Sequence, residues 1–226
     1  MDNRPIGVFD SGLGGLTVVK EIMSWLPGES VVYFGDTARI PYGTRSSETV
    51  TKYSIQCIRF LISQGIKMVV VACNTASSTS LGTVQKMFDI PIIGVIEPGA
   101  EGAVKATRNR RVGVIGTEGT IKSGAYVKAI HSRDESIKVF STPCSLFVPI
   151  VEEGWSNTEI AFLTAKKYLS SMIEENIDTM VLGCTHYPLL METIHKVAGE
   201  NVVLVNPAEE TVGEVKRILE VNDMLR

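Results

Sequence analysis

The chain has 226 residues, 44% apolar and 21% charged, with 22 basic and 25 acidic side chains and a formal net charge of −3. That composition describes a globular protein able to bury a core without disulfide staples, and excludes disordered, collagenous and coiled-coil classes. No apolar run reaches the ~20 residues of a membrane span, and the slightly acidic balance without a Lys/Arg cluster argues against a nucleic-acid or anionic-membrane surface. Met1-Asp2-Asn3-Arg4 leads into a strand-like segment rather than a signal-peptide stretch, so a cytoplasmic location is expected.

Short β-branched runs bounded by glycine predict strands over Ile6–Phe9, Val31–Gly35, Met68–Ala72, Ile92–Val95, Val112–Ile115, Ile137–Phe140, Met180–Gly183 and Val202–Val205. Segments of helical period separate most of them. From Ser47 to Gln64 the period places Val50, Tyr53, Ser54, Cys57, Ile58, Leu61 and Ile62 on one face, and Gly65 follows as a stop. Ser156 and Glu159 read as a capping box opening a later helix. Strand–helix alternation of this kind predicts an α/β architecture with largely parallel sheets.

A faint internal repeat refines that architecture. Ile6-Gly7-Val8-Phe9-Asp10-Ser11-Gly12 is similar to Val112-Gly113-Val114-Ile115-Gly116-Thr117-Glu118, and Val69 to Thr75 is similar to Thr179 to Thr185. The chain therefore reads as two pseudo-symmetric α/β domains with the active site in the cleft between them. Residues 1–97 and 207–226 would form the first and residues 98–206 the second, with crossings near Glu97-Pro98-Gly99 and Asn206-Pro207. The last segment is expected as a helix packed on the first half.

Four cysteines lie far apart with no C-x-x-C, so a reducing compartment leaves them as free thiols. Cys73 and Cys184 are equivalent in the repeat. Each stands at the carboxyl end of a strand, where open parallel sheets bind ligands. Polar residues that can open a helix follow both: Asn74, Thr75 and Ser77 after the first, Thr185 and His186 after the second. A helix start would lower a thiol pKa from ~8.5 toward neutrality. A lone cysteine is more often a small buried hydrophobe, but the matched pair reverses that balance. Cys57, on an apolar helix face, reads as core, and Cys144 has no symmetric mate.

Two thiols facing each other from two similar halves suit inversion of a stereocentre by proton transfer, which needs a base on one face of the carbon and an acid on the other. Donors must then stabilise the developing carbanion in a dry cleft. Ser11, Asn74, Thr75 and Thr185, beside glycines and helix starts, are candidates for a carboxylate cradle, although each alone is more often a cap. Asp10 and His186 are candidates to bond a thiol or a substrate ammonium. Gly12-Leu13-Gly14-Gly15 lacks the spacing of a dinucleotide or phosphate loop and reads as close backbone approach or a plain turn. Asp36 to Gly43 forms a long polar loop placed to make one wall.

At these residues the sequence resembles the glutamate racemases of the cofactor-independent aspartate/glutamate racemase superfamily. The matching stretches are Phe9 to Gly15, Gly35-Asp36 through Pro41-Tyr42-Gly43, Cys73 to Ser77, Val148 through Glu152-Glu153-Gly154, and Gly183 to Leu189. The resemblance implies interconversion of L- and D-glutamate without metal or pyridoxal phosphate, in the service of peptidoglycan synthesis, by a cytoplasmic homodimer. It implies that Cys73 takes the α-proton from D-glutamate and Cys184 from L-glutamate, assisted by Asp10 and His186, with Glu152 a further polar site residue. Ser11, Asn74, Thr75 and Thr185 would bind the carboxylate and ammonium groups; Tyr42, Gly43 and Thr117 would serve the side-chain end. Family members usually continue a few tens of residues further. Two other readings remain open: a racemase of another acidic amino acid such as aspartate, and an amino-acid-binding protein without chemistry.

Overall fold

The computed structural model describes residues 2–226. Among the described residues, eight strands form two four-stranded parallel sheets. In the first, β1 (Ile6–Asp10), β2 (Val31–Gly35), β3 (Met68–Val71) and β4 (Ile92–Gly94) lie in the order β2-β1-β3-β4. In the second, β5 (Arg111–Gly116), β6 (Lys138–Pro143), β7 (Thr179–Gly183) and β8 (Val203–Val205) repeat it as β6-β5-β7-β8. All eight predicted strands are present, and the repeat seen in sequence is a repeat of topology.

The central strands β1, β3 and β7 are buried along their whole length, whereas β2 is only half-buried. Parallel strands need crossovers, and helices on both faces cover the middle of each sheet, so central strands read as unbroken apolar runs. The predicted amphipathic segment is α2 (Ser47–Ser63), whose Ser46 hydroxyl accepts from the Thr49 N–H and whose Gly65 follows at φ +72°. Val50, Cys57, Ile58 and Leu61 of α2 pack with Phe9, Val69 and Val71 of the sheet. Truncating Leu61 to alanine there would cost about 2–5 kcal/mol.

The final helix, α10 (Pro207–Val221), buries Ala208, Val212, Val215 and Leu219 against Ile6, Val8, Met68 and Val70 of the first sheet. Its cap is the Asn206 side chain, which accepts from the Ala208 N–H, and Pro207 occupies the first helical position. Both prolines at the expected crossings thus fall in the first turn of a helix. Pro98 lies in the first turn of α4 (Ile96–Ala106), where a missing N–H is harmless.

The expected capping box at Ser156 does not form. Helix α8 (Glu159–Glu174) is capped by Thr158, whose hydroxyl accepts from the Ala161 N–H, while the Ser156 carbonyl accepts from the Thr193 hydroxyl. The other helices are α1 (Leu16–Trp25), α3 (Asn74–Met87), α5 (Glu118–Ser123), α6 (Ala125–His131), α7 (Phe147–Glu152) and α9 (Met191–Ala198). Among the described residues no helix is long and apolar enough to cross a membrane.

Candidate active site

Strand ends from both sheets converge on one cleft of about 390 Å³. Ser11 follows β1, Cys73 follows β3 and Cys184 follows β7; all three line it, with Tyr42, Gly43, Asn74, Thr75, Thr117, Glu152, Thr185 and His186. Every candidate residue named from sequence except Asp10 thus reaches the cleft wall. Asp10 is fully buried beneath it. Its carboxylate accepts from the Gly12 N–H at 2.9 Å and from the Thr185 hydroxyl at 3.5 Å, linking the ends of β1 and β7.

Cys73 is the N-cap of α3. Its sulfur accepts from the Ala76 N–H at 3.5 Å and donates to the Ser11 hydroxyl at 3.4 Å. Cys184 has a different setting. No α-helix begins at it; the chain passes through Thr185 and His186 into a 3₁₀ turn at Tyr187–Leu190. Its sulfur lies 3.9 Å from Nδ1 of His186, whose Nε2 lies 3.1 Å from Oε1 of Glu152.

The expectation that helix starts depress both thiols is overturned. Cys73 and Cys184 are 5% and 7% exposed, and burial penalises their anions more than nearby N–H groups favour them. Burial, then the charge of Asp10, pushes Cys73 up to about 11, against relief from Ser11 and Ala76. Burial pushes Cys184 up as well, aided by the charges of Cys73, Asp10 and Glu152 and opposed by the His186 N–H. Asp10 is itself raised by burial, despite hydrogen bonds from Gly12, Gly15 and Ser11.

The remaining polar residues tie the two halves together at the cleft. Asn74 Oδ1 accepts from the Tyr126 hydroxyl at 2.6 Å, and the hydroxyls of Thr75 and Thr117 are 2.8 Å apart. Gly43 accepts at its carbonyl from the Gly119 N–H at 2.8 Å, a free donor in the first turn of α5. The glycine loop after β1 makes a close approach, though to the other half of the protein: a Cβ on Gly14 would stand 2.6 Å from His186 Nδ1. Tyr42 lines the cleft, and its hydroxyl donates to Asp36 rather than into the cleft.

No Lys or Arg lines the cleft among the described residues, while Glu118 and Glu152 do. An anionic ligand there would be held by hydroxyl and backbone N–H groups rather than by ion pairs. Three contributors escaped the sequence reading. Tyr126 orients Asn74, Thr120 lies 3.0 Å from the Thr117 hydroxyl, and Tyr33 donates to the Gly12 carbonyl at 2.6 Å. They act through tertiary contacts between distant segments, and no local spacing announces them.

This arrangement, two thiols at equivalent strand ends of a repeated α/β fold, defines a class. The Asp/Glu/Hydantoin racemase family model matches residues 6–215, and the chain belongs to that family of isomerases. Within it the relatives are glutamate racemases. The glutamate racemase of Geobacter metallireducens is 56% identical over 223 residues, covering 99% of this chain and 83% of the relative. The crystal structure of glutamate racemase isoform RacE1 from Bacillus anthracis superposes with a TM-score of 0.97 at 45% identity, covering 100% of this chain and 85% of that one. That of Francisella tularensis glutamate racemase, in complex with D-glutamate, gives 0.94 at 45% identity, covering 100% and 84%. An aspartate racemase from Picrophilus torridus, 19% identical with a TM-score of 0.68, shares the fold alone.

Proposed function

We propose that this chain interconverts L- and D-glutamate by a two-base mechanism in which Cys73 and Cys184 are the acid/base pair. The carrying observation is that both thiols line one cleft from equivalent positions of two sheets with the same strand order. From D-glutamate, the Cys73 thiolate takes the α-proton and becomes a thiol, and the Cys184 thiol delivers its proton to the opposite face, leaving a thiolate. The product is L-glutamate, and the reverse reaction begins from that protonation state. One thiolate and one thiol suffice for each turnover, so the chemistry asks for neither metal nor organic cofactor.

The carbanion is stabilised by donors to the α-carboxylate, for which Ser11, Asn74, Thr75 and Thr185 are assigned. Tyr42, Gly43 and Thr117 receive the side-chain carboxylate, Tyr42 through its place in the wall. His186, with Glu152 behind it, orients Cys184, and Asp10 serves the Cys73 side from below. We assign residues 1–97 with 207–226 to one domain and 98–206 to the other, a division supported by the packing of α10 on the first sheet. D-glutamate is a cell-wall building block, so a role in peptidoglycan synthesis follows. Four unpaired thiols suit a cytoplasmic enzyme, active as a homodimer.

The test is incubation with D-glutamate in deuterated water. Racemisation accompanied by one deuteron at Cα of each inverted molecule supports the reading. Binding without exchange would leave an amino-acid-binding protein, and equal turnover of aspartate would sink the choice of glutamate.

A further inference from the structure

The loop after β2 makes one wall of the cleft, yet its charged residues turn away from the cleft. Asp36 is 4% exposed, and its carboxylate meets two donors, Arg39 and Tyr42. Arg39 Nε lies 2.9 Å from Oδ1 and 2.7 Å from Oδ2, and the Tyr42 hydroxyl donates to Oδ2 at 2.5 Å. The Asp36 N–H donates to the Asp10 carbonyl at 3.0 Å, which fixes the start of the loop to the end of β1. Arg39 in turn rests on the Tyr53 ring, 4.3 Å from its centroid, and donates to Gln56, so α2 backs the cluster. Buried carboxylate oxygens need hydrogen-bond donors, and here those donors come from the loop itself.

Beyond Tyr42 the loop has no slack. Gly43 accepts from the Gly119 N–H at 2.8 Å, and a Cβ on Gly43 would stand 2.7 Å from Cβ of Thr117. Thr117 is 2.8 Å from the Thr75 hydroxyl, inside the cleft. A shift at Tyr42 would therefore be passed through Gly43 to the hydroxyls that line the cleft from both halves.

We infer that Asp36 is a positioning residue of this site: through Arg39 and Tyr42 its carboxylate holds Gly43 against α5 and so sets the width of the cleft at the end that receives the substrate's side-chain carboxylate. The assignment of that end rests on the glutamate reading above. The proton transfers at Cys73 and Cys184 lie outside the clamp, so its loss weakens binding more than chemistry.

The experiment compares Asp36→Asn and Arg39→Gln with wild type by steady-state kinetics and by amide hydrogen exchange of Gly119. Asp36→Asn is expected to raise KM for D-glutamate about tenfold with kcat within about threefold. The Gly119 amide should exchange about tenfold faster, without any substrate present. Arg39→Gln should move both in the same direction by less; its side chain is partly exposed, so it decides the matter if Asp36→Asn does not fold. Unchanged Gly119 protection in the folded variants, or a loss confined to kcat, would overturn the inference. If wild type did not turn over glutamate, the racemase reading would fall, and Gly119 exchange would still decide whether the clamp exists.

Discussion

Cys73 and Cys184 occupy the same place in two copies of one topology, but their surroundings have diverged. Cys73 caps a 14-residue helix, with a serine hydroxyl beside it and a buried carboxylate below. Cys184 precedes a 3₁₀ turn and is joined through His186 to Glu152, which is half-exposed, so a chain of titratable groups runs from its sulfur to the cleft mouth. The fold thus supplies symmetry where inversion needs it, in the placement of two sulfurs. It does not supply symmetry in how each is tuned, and the two half-reactions are expected to have different barriers.

That comparison can be broken or sharpened by substitution. The largest effect is expected from the thiols: Cys73→Ala and Cys184→Ala should each lower the racemisation rate by about 10³-fold or more, followed by polarimetry. Retention of wild-type rates by both would dissolve the pair. His186→Asn should cost about 10²-fold. Because the enantiomers have equal free energy, kcat/KM falls equally in both directions, and the asymmetry must be sought in exchange. With the Cys184 step slowed, D-glutamate should exchange its α-proton with deuterated water faster than it inverts. Ser11→Ala, acting on the other thiol, should produce that excess with L-glutamate.

A third effect is set by pH. Burial raises both thiols, so the thiolate that begins each turnover is scarce at neutral pH, and kcat/KM should climb up to about tenfold per pH unit between about 7 and 9. Stability moves the other way. From pH 9 toward 11 an unfolded chain loses thiol protons that folded Cys73 keeps, so the folded state is progressively disfavoured and the denaturation midpoint should drop above pH 9. The smallest effect concerns the bystander: Cys144, fully buried in the core of the second sheet, should on change to alanine cost about 1–2 kcal/mol of stability in denaturant melts and leave racemisation intact.

The legible part of the molecule was that written in local pattern. Strands β1, β3 and β7 are short apolar runs ended by polar residues, and the cleft residues sit just past those ends, so topology carried them from sequence to site. What sequence could not convey is what lies across the cleft. At Cys73 the helix start does bring the Ala76 N–H to the sulfur, but desolvation, which no local pattern reveals, outweighs it. For Cys184 even the helix was absent, because the Pro188 segment forms only a 3₁₀ turn. Tyr42 is expected at the side-chain end of the site and lines the cleft, but that its hydroxyl is committed to Asp36 six residues back is a tertiary fact with no local signal. Tyr126 and Thr120 gave no signal, since their roles depend on contacts with Asn74 and Thr117 that exist only once the sheets are assembled.

The most direct test of the two-base account follows α-proton exchange in deuterated water with each single-cysteine variant and each enantiomer, read by proton NMR at Cα. In Cys184→Ala the remaining Cys73 should label D-glutamate without inverting it and leave L-glutamate untouched. In Cys73→Ala the pattern should reverse, with Cys184 labelling only L-glutamate. Labelling of both enantiomers by either variant, or inversion by either at the wild-type rate, would contradict one thiol on each face of the substrate.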